Sequence, residues 1–365
     1  FVWLITFSVL MHVFMTLFFV PHLAFGGEMS KDYHERSSIM SYNNFGGYIG
    51  GAGAHFFGLT FFFYATAEYA NGLLNPEAYR NFGASASVIV VVALYASAWF
   101  TRDRIPTLSQ PKESLQSFSF SGFYSDLMQA LRNPNYLYLL LGLLLLSLTL
   151  GMRAAFNNYM NLYYWEFLPD QIRWFILGSI SGYLCGFLLT FYIHKRFDKR
   201  NTIVAATIGL ALFDAMPVCL RMLGLFPDNG SDSLFPSILC FHALGSASGS
   251  ILNISVMSAL ADIADENAAR YGQRQEGILY AARAFFSKAD RALGTLIAGI
   301  ALDMISFPAR AVPGQVDANV VWWLGVMDSP MTILPALLAA VLYSGYRIDK
   351  RKHTQLATSL DNDPP

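Results

Sequence analysis

Long blocks of apolar residues are the feature that most restricts how this chain can fold. Stretches of 18 or more apolar residues are long enough to cross the hydrocarbon core of a bilayer as helices. The chain has 365 residues, of which 54% are hydrophobic and only 13% are charged, whereas about a quarter of the residues in soluble domains are charged. The sequence therefore predicts an all-α, polytopic membrane protein.

Nine apolar spans are predicted along the chain. Three lie before residues 101–135, a segment rich in Ser and Pro that is predicted to link two halves, and six lie after it. The first span begins at Phe1 without a basic leader, which indicates a membrane span rather than a signal peptide and a first half that lacks its beginning. The spans lie at approximately 1–27, 45–70, 83–100, 136–165, 172–194, 203–225, 234–261, 278–307 and 320–346.

Lys and Arg are distributed unevenly between the two sets of alternating loops: one set, with the tail, holds sixteen and the other holds four. Because cytoplasmic loops carry the excess of positive charge, loops 28–44, 101–135, 195–202 and 262–277 and the C-terminus are predicted to be cytoplasmic. The net charge of −1 gives no indication of nucleic-acid binding. The four residues of the opposite set are Arg80, Arg173, Arg221 and Arg310.

The eighth span carries charged residues in a segment that otherwise suits lipid. Arg283, Lys288, Asp290 and Arg291 fall within an arc of about 160° on a helix that turns 100° per residue. Ionisable residues at membrane depth usually face a cavity or a partner. This side of the helix is therefore predicted to border an aqueous pathway, with the alternative that Arg283 lies near the end of the span and extends to the interface.

The fourth span combines a guanidinium with amide and aromatic side chains. Amides can hydrogen-bond hydroxyl groups, so these residues are predicted to line the same pathway, together with an amide of the seventh span. Tyr164 and Trp165 are predicted to form an aromatic belt at the membrane interface. The predicted pathway residues outside the eighth span are Arg153, Asn157, Asn158, Asn161 and Asn253.

Other polar residues within the spans give weaker indications. Asp214 is predicted either to pair with a cation or to lie near an interface, and both alternatives stay open. His12, His55 and His242 are single histidines in apolar surroundings and are predicted to be hydrogen-bonded packing residues. Nothing in the spacing of Cys, His, Asp or Glu predicts a metal site, a cofactor or a catalytic group.

Two charged loops carry a resemblance to a known family. The loop PHLAFGGEMSKDYHERSSIMSYNNF and the segment SALADIADENAARYGQRQEGILYAARAFFSKADRALG resemble the loops after the fourth and tenth helices of the glycoside–pentoside–hexuronide:cation symporters, to which the melibiose carrier belongs. YMNLYYWEFLPDQI and HKRFDKRN fit the same family. The matching residues are Pro21, Glu28, Asp32, Tyr33, Glu35, Arg36 and Tyr42 in the first loop and Ala261, Asp262, Gly272, Arg274, Glu276, Gly277 and Lys288 in the second.

The resemblance implies the major facilitator fold, in which the nine spans correspond to helices 4–12 of twelve. It implies a monomeric transporter in the bacterial plasma membrane that moves a glycoside, a sugar or a related small solute by cation-coupled symport and alternating access. The implied domains are 1–100, the remainder of the N-terminal six-helix bundle; 101–135, the linker; 136–347, the C-terminal six-helix bundle; and 348–365, a cytoplasmic tail.

The charged loops also suggest a gate. Ion pairs between loops of the two halves would close the cytoplasmic face in one state and break in the other. The alternative is that these charges are solvated and serve only to orient the protein in the membrane. The predicted gate residues are Glu28, Asp32, Arg36, Asp262 and Arg274.

Sodium coupling of the melibiose type is not expected, because Phe19 stands where the best-known sugar members have an acidic residue in helix 4. A phenyl ring cannot coordinate a cation as a carboxylate does. Both H⁺ and Na⁺ remain open as the coupling ion.

Two features of the sequence suggest alternatives to sugar transport. The many Phe and Tyr residues would also suit a lysolipid or another amphiphile carried in the same fold. The stretch DIADENAAR approximates the start of a CDP-alcohol phosphotransferase signature, but Leu279, Arg283 and Ser287 stand where its later glycine and aspartates belong. Without those aspartates a two-metal site cannot form, so the protein is not expected to be an enzyme.

Overall fold

The computed structural model describes residues 1–28, 33–107, 120–271 and 292–348, and in these ranges it contains helices and turns but no β-strand. This agrees with the all-α prediction. The helices are α1 Val2–Glu28, α2 Tyr33–Phe61, α3 Pro76–Thr101, α4 Phe120–Leu131, α5 Pro134–Tyr159, α6 Pro169–Ile172, α7 Phe175–Arg196, α8 Lys199–Met222, α9 Leu234–Tyr271, α10 Ala292–Met304, α11 Ala318–Asp328 and α12 Pro330–Tyr343.

Seven helical segments within the described ranges are long and apolar enough to cross a membrane. Two predicted spans have no counterpart among these seven. The second, 45–70, coincides in part with the glycine-rich α2, and the eighth, 278–307, is described only from residue 292 onward, where α10 runs over 13 residues. The remaining seven predicted spans each coincide with one of these segments, which supports a polytopic membrane fold.

The chain divides into two compact units, Phe1–Ser117 and Phe118–Pro365. The division falls inside residues 101–135, which the sequence predicts to be a linker loop. Part of that segment is helical, because α4 occupies Phe120–Leu131. The assignment of the units to the two halves of a twelve-helix protein stays a prediction.

Asn–Pro pairs set the start of two helices, one in each unit. The Asn75 side chain accepts a hydrogen bond from the backbone N–H of Glu77 before Pro76 opens α3. Asn133 likewise accepts from the N–H groups of Asn135 and Tyr136 at the start of α5. The Asn side chain satisfies N–H groups that have no partner within the helix. Proline fits the first helical turn because the N–H group that it lacks would have no partner there.

The first unit is held by aromatic contacts at the turn between α2 and α3. The Phe63 ring lies edge-on to Tyr79 at a centroid distance of 4.7 Å and packs on Phe82 at 5.6 Å. Gly58 in α2 lies directly under the Phe82 ring. Many apolar side chains of α3 are exposed within this unit, as expected for a helix that faces lipid.

The second unit is built around a core between α5, α8, α9 and α12. Leu139, Ile203, Leu260 and Tyr343 are its fully buried centre. The Tyr343 ring packs against Gly142 of α5, where a side chain would collide with it. Since α5, α8 and α9 also line the cavity described below, the core holds the candidate site in place.

Helices α7 and α9 pack through a row of glycines. Gly178, Gly182 and Gly186 follow one another at four-residue spacing on α7 and meet Leu239, Ala243 and Ala247 of α9, respectively. The residue numbers rise together along both helices, so the two helices run in the same direction. Small residues at this spacing let two backbones approach closely, while Leu184, Phe187 and Phe191 point outward and are exposed.

Helix α9 extends ten residues beyond the predicted end of its span, so residues 262–271 are helical where a loop was expected. The extension is possible because its polar residues are satisfied inside the protein. Glu266 is 1% exposed and its Oε2 accepts hydrogen bonds from Asn133 Nδ2 at 3.0 Å and Asn135 Nδ2 at 2.8 Å.

Asp262, one turn earlier on α9, is also buried at 3% exposure. Its Oδ2 lies 2.6 Å from Lys199 Nζ and accepts a hydrogen bond from the Tyr346 hydroxyl at 3.0 Å. These contacts tie the start of α8 and the segment after α12 to the end of α9. Removing Lys199 alone would leave the buried Asp262 carboxylate without its cation, which is costly.

Replacing Lys199 by Met should therefore destabilise the protein by about 2 kcal/mol, less than for a fully buried pair because Lys199 is partly exposed. Tyr346→Phe removes one hydrogen bond to the same carboxylate and should cost about 1 kcal/mol. Thermal unfolding in detergent measures both. Equal stability of the wild-type protein and Lys199→Met would contradict the proposed importance of this ion pair.

Candidate functional site

A cavity of about 580 Å³, mostly apolar but with several polar side chains, lies within the second unit. This volume falls in the usual range of small-molecule sites, roughly 300–1,000 Å³. Its walls come from α5, α7, α8, α9 and the end of α11, with three side chains, Met160, Asn161 and Trp165, from the turn after α5. The polar and aromatic residues that line it are Ser147, Arg153, Asn157, Asn161, Trp165, Phe175, Ser179, Tyr183, Phe213, Asp214, Phe241, His242, Ser246, Asn253 and Asp328.

Arg153 joins three helices at this cavity. Its Nε lies 3.5 Å from Asp214 Oδ2 on α8, and its Nη2 donates to the Asp214 backbone carbonyl at 3.0 Å. Its Nη1 lies 3.3 Å from Asp328 Oδ2 on α11 and donates to the Asp328 carbonyl at 3.2 Å. One planar guanidinium, which has five N–H donors, thus connects α5, α8 and α11. We call Arg153, Asp214 and Asp328 the ion triad.

A break between α11 and α12 makes the Asp328 carbonyl available to Arg153. Pro330 follows Ser329 and has no backbone N–H, so the span Ala318–Tyr343 is interrupted there. The N–H groups of Thr332 and Ile333 bond to Ser329 instead of continuing the helix through Asp328. Interrupted helices are tolerated at membrane depth where other groups satisfy the freed carbonyls, and here Arg153 and the Thr332 hydroxyl do so.

The two carboxylates of the ion triad differ in their surroundings. The Asp328 side chain is 5% exposed, and its Oδ2 also accepts a hydrogen bond from the Ser329 hydroxyl at 2.9 Å. The Asp214 side chain is 21% exposed and faces the cavity. Among the described residues no hydrogen bond reaches its carboxylate oxygens, and the 3.5 Å contact with Arg153 is its ion pair.

The ion triad lies well inside the membrane-spanning part of the unit. Asp214 is eight residues before the end of α8 at Met222, which corresponds to about 12 Å at 1.5 Å per residue. Gly245 of α9 packs directly against the Asp214 carboxylate, where a side chain would collide with it. The close approach brings α9 to the triad and leaves Asp214 facing the open cavity.

The α7 and α9 walls of the cavity add hydrogen-bonding groups. The His242 ring and the Ser179 hydroxyl are joined at 2.8 Å, and the edge of His242 meets the Phe175 ring at a centroid distance of 5.3 Å. Tyr183 lines the same wall. His242 is a hydrogen-bonded packing residue, as the sequence predicts, and it also borders the cavity, which the sequence did not indicate.

A turn of π-helix brings Trp165 into the cavity. Residues Met160–Tyr164 form this turn after α5, and the Trp165 N–H bonds to the Met160 carbonyl at 2.9 Å. The wider turn changes the direction of the side chains that follow, and such turns are frequent at functional sites. Tyr164 is 7% and Trp165 5% exposed, so the prediction that both form an interfacial belt is wrong.

The structure brings four of the predicted pathway residues together and places one elsewhere. Arg153, Asn157, Asn161 and Asn253 line the cavity. Asn158 is exposed and is not among the lining residues, because it points to another side of α5. Lys288, Arg283 and Asp290 lie outside the described residues.

The predicted gate residues are described only in part. Asp32 and Arg274 lie outside the described residues. Glu28 ends α1, and Arg36 lies in the first turns of α2, so much of the predicted loop 28–44 is helical. Asp262 is buried against Lys199 and Tyr346 in its own unit, and its role in a gate stays a prediction.

Sequence reasoning missed Asp328 and left Asp214 undecided. Asp328 lies in the middle of the predicted span 320–346, so the rule that ionisable residues at membrane depth have a functional partner would have indicated it. Nothing in the sequence connects it to Arg153, which is 175 residues away. The contact depends on how α5, α8 and α11 pack.

Membrane-spanning helices that enclose a cavity lined by ionisable residues are typical of membrane transporters. The sequence profile of the family described as MFS/sugar transport protein matches residues 1–350, and the chain belongs to this family. The chain is 23% identical over 353 residues to YnaJ of Bacillus subtilis (strain 168), an uncharacterized symporter, across 94% of this chain and 69% of YnaJ. These findings confirm a transporter rather than an enzyme.

Proposed function

We propose that the protein is a cation-coupled symporter of glycosides or related sugars, of the glycoside–pentoside–hexuronide type, that works by alternating access in a bacterial plasma membrane. The observation that carries the proposal is the composition of one cavity. Amide side chains and an indole ring line it beside the ion triad, and these groups match the hydroxyls and the flat faces of a sugar.

Each group has a separate role in this proposal. Asn157, Asn161 and Asn253 can donate and accept hydrogen bonds with sugar hydroxyls. Trp165 offers an aromatic face on which the apolar side of a sugar ring can stack. A coupling cation that binds at the ion triad would change the net charge of the triad. Few precisely placed polar groups in a mostly apolar pocket are typical of small-molecule sites.

Transport by the purified protein tests this function. The protein, expressed from its complete reading frame, is reconstituted in liposomes and assayed with radiolabelled melibiose, methyl β-xyloside, methyl β-glucuronide and lysophosphatidylcholine. Each is tested with an inward H⁺ gradient, with an inward Na⁺ gradient and without a gradient. At least one glycoside should accumulate only when a cation gradient is present.

Two outcomes would contradict the proposal. Transport of lysophosphatidylcholine without transport of any glycoside would favour the amphiphile alternative, which uses the same fold. Glycoside uptake that never exceeds equilibration, whichever gradient is applied, would indicate a facilitator rather than a symporter.

Replacing Trp165 by Ala should raise the KM for the transported glycoside about tenfold, which corresponds to about 1.4 kcal/mol of lost stacking and packing. The maximal rate should change less. Trp322→Ala is the matched control, because Trp322 lies on α11 away from the cavity and is 47% exposed. Initial uptake rates over a range of sugar concentrations measure both. An equal rise in KM for the two variants would argue against stacking on Trp165.

A further inference from the structure

The geometry of the ion triad points to a specific coupling group, and the inference rests on the symport function proposed above. We propose that Asp214 binds the coupling proton, and that protonation releases it from Arg153 during each transport cycle. The coupling site is then in the second unit, next to the sugar-binding residues of the same cavity.

The first argument is charge. The ion triad contains two carboxylates and one guanidinium. Its three side chains carry a net charge of −1 when both carboxylates are ionised. An uncompensated charge inside a membrane protein is costly and is usually neutralised by a proton or a partner. A proton on one carboxylate makes the triad neutral, and its loss restores the negative charge.

The second argument distinguishes the two carboxylates. Asp328 is buried, and its Oδ2 receives both Arg153 Nη1 and the Ser329 hydroxyl. Asp214 faces the cavity and is more exposed, and in the described ranges its carboxylate has one ion-pair contact, at 3.5 Å from Arg153 Nε. Asp214 is therefore the carboxylate of the ion triad that is more accessible to a proton from the cavity.

The third argument concerns the charged and titratable groups that face Asp214. Helix α5 presents Arg153, α11 presents Asp328, α9 presents His242 and α7 presents Tyr183 to the cavity. Helix α12 presents Thr332 and Ile333 near the triad. Arg153 attracts the ionised carboxylate of Asp214, and Asp328 repels it. A small movement of Arg153 toward Asp328 would therefore leave the Asp214 carboxylate without its ion pair.

A sodium ion fits these surroundings less well than a proton. An alkali cation would need several oxygen ligands and would lie beside the Arg153 guanidinium, which repels it. In the described part of the chain no group of three or more His, Cys, Asp or Glu residues could hold a metal ion. A proton needs one oxygen and leaves no charge on it.

The step is a simple proton binding. One Asp214 carboxylate oxygen takes a proton from water in the cavity and becomes a neutral carboxylic acid, while Arg153 keeps its contacts with Asp328. When the cavity opens to the other side, the proton returns to water and the Arg153–Asp214 ion pair forms again. The bound sugar and the proton thus cross in the same cycle.

Asp214→Asn tests the inference in the reconstituted protein. With melibiose, or whichever of the three glycosides the wild-type protein transports, accumulation driven by an inward H⁺ gradient should fall by at least ~20-fold, because an amide cannot take up the proton. Exchange of labelled for unlabelled glycoside without a gradient, measured in the same liposomes, reports separately how far the variant still binds and moves sugar. Pyranine trapped inside the liposomes should report acidification during sugar influx for the wild-type protein and none for Asp214→Asn.

Two further variants separate coupling from folding. Asp214→Glu retains a carboxyl group and should retain proton-driven accumulation. Asp303→Asn removes an exposed carboxylate near the end of α10 and should leave accumulation unchanged. Size-exclusion elution of each variant in detergent shows whether it is folded before transport is compared.

Three outcomes would overturn the inference while leaving sugar transport intact. The first is proton-driven accumulation by Asp214→Asn at the wild-type level. The second is coupling of the wild-type protein to Na⁺ with no sugar-dependent acidification. The third is loss of coupling in His242→Gln together with retained coupling in Asp214→Asn, which would assign the proton to His242. If no glycoside is transported at all, the proposed function itself fails.

Discussion

Replacing Arg153 by Met is expected to lower transport to below about one-hundredth of the wild-type rate and to destabilise the second unit by about 3–5 kcal/mol. The variant leaves Asp214 and Asp328 without their cation and removes the donor to the Asp328 carbonyl at the helix break. Uptake in liposomes measures the first effect and thermal unfolding in detergent measures the second.

Two variants show whether the loss comes from folding or from function. The double variant Arg153→Met/Asp328→Asn removes one positive and one negative charge, so the net charge of the ion triad stays at −1. Folded protein should therefore be recovered, while transport stays lost. Arg153→Lys keeps the charge, but one ammonium cannot serve two carboxylates and two carbonyls as the planar guanidinium does. It should fold and transport poorly.

The control for Arg153 is a partly exposed ion pair in the same unit. Arg173→Met breaks the contact with Asp170, whose side chain is 74% exposed, and should cost no more than about 1 kcal/mol. Wild-type stability and wild-type uptake in Arg153→Met would show that the triad is neither structural nor functional.

The second large effect is expected at the packing of α7 on α9. Gly182→Val puts a branched side chain where the Cβ alone would collide with the Ala243 carbonyl and lie 2.9 Å from the Ser246 Cβ. Overpacking of this kind costs about 3 kcal/mol, which should lower Tm by about 10 °C in a unit of this size. Because α7 and α9 both line the cavity, transport should fall as well.

A glycine with free space around it is the matched control. At Gly299 of α10 an added Cβ would meet nothing within 4 Å, so Gly299→Val should leave Tm within about 2 °C of the wild-type value. Fluorescence-detected size exclusion after heating measures the unfolding temperatures of the wild-type protein, Gly182→Val and Gly299→Val. Equal unfolding temperatures for Gly182→Val and Gly299→Val would show that the close approach of α7 and α9 is not essential.

Much of the helical architecture was predictable because apolar length is a local property. A run of apolar residues predicts a span wherever it occurs, and seven of the predicted spans coincide with helices that can cross a membrane. The errors lie where polar residues extend or interrupt a helix. Hydropathy ends the seventh span at residue 261, yet α9 continues because Asn133, Asn135 and Lys199 satisfy Glu266 and Asp262.

The candidate site was predictable only residue by residue. Arg153, Asn157, Asn161 and Asn253 could be identified because polar groups within apolar spans are uncommon and usually face a cavity or partner. Asn158, adjacent to one of them, does not line the cavity, since neighbouring positions on a helix point about 100° apart. Trp165 could not be assigned to the cavity, because one turn of π-helix decides its direction.

The amino-acid sequence by itself determined the membrane class, most of the spans and the polar residues that lipid would not accept, because each follows from the cost of moving a local segment out of water. Only the tertiary structure decided which of those residues meet. Along the chain, Arg153 is 61 residues from Asp214 and 175 residues from Asp328. The three side chains form one cluster because α5, α8 and α9 pack closely and because the helix is broken between α11 and α12.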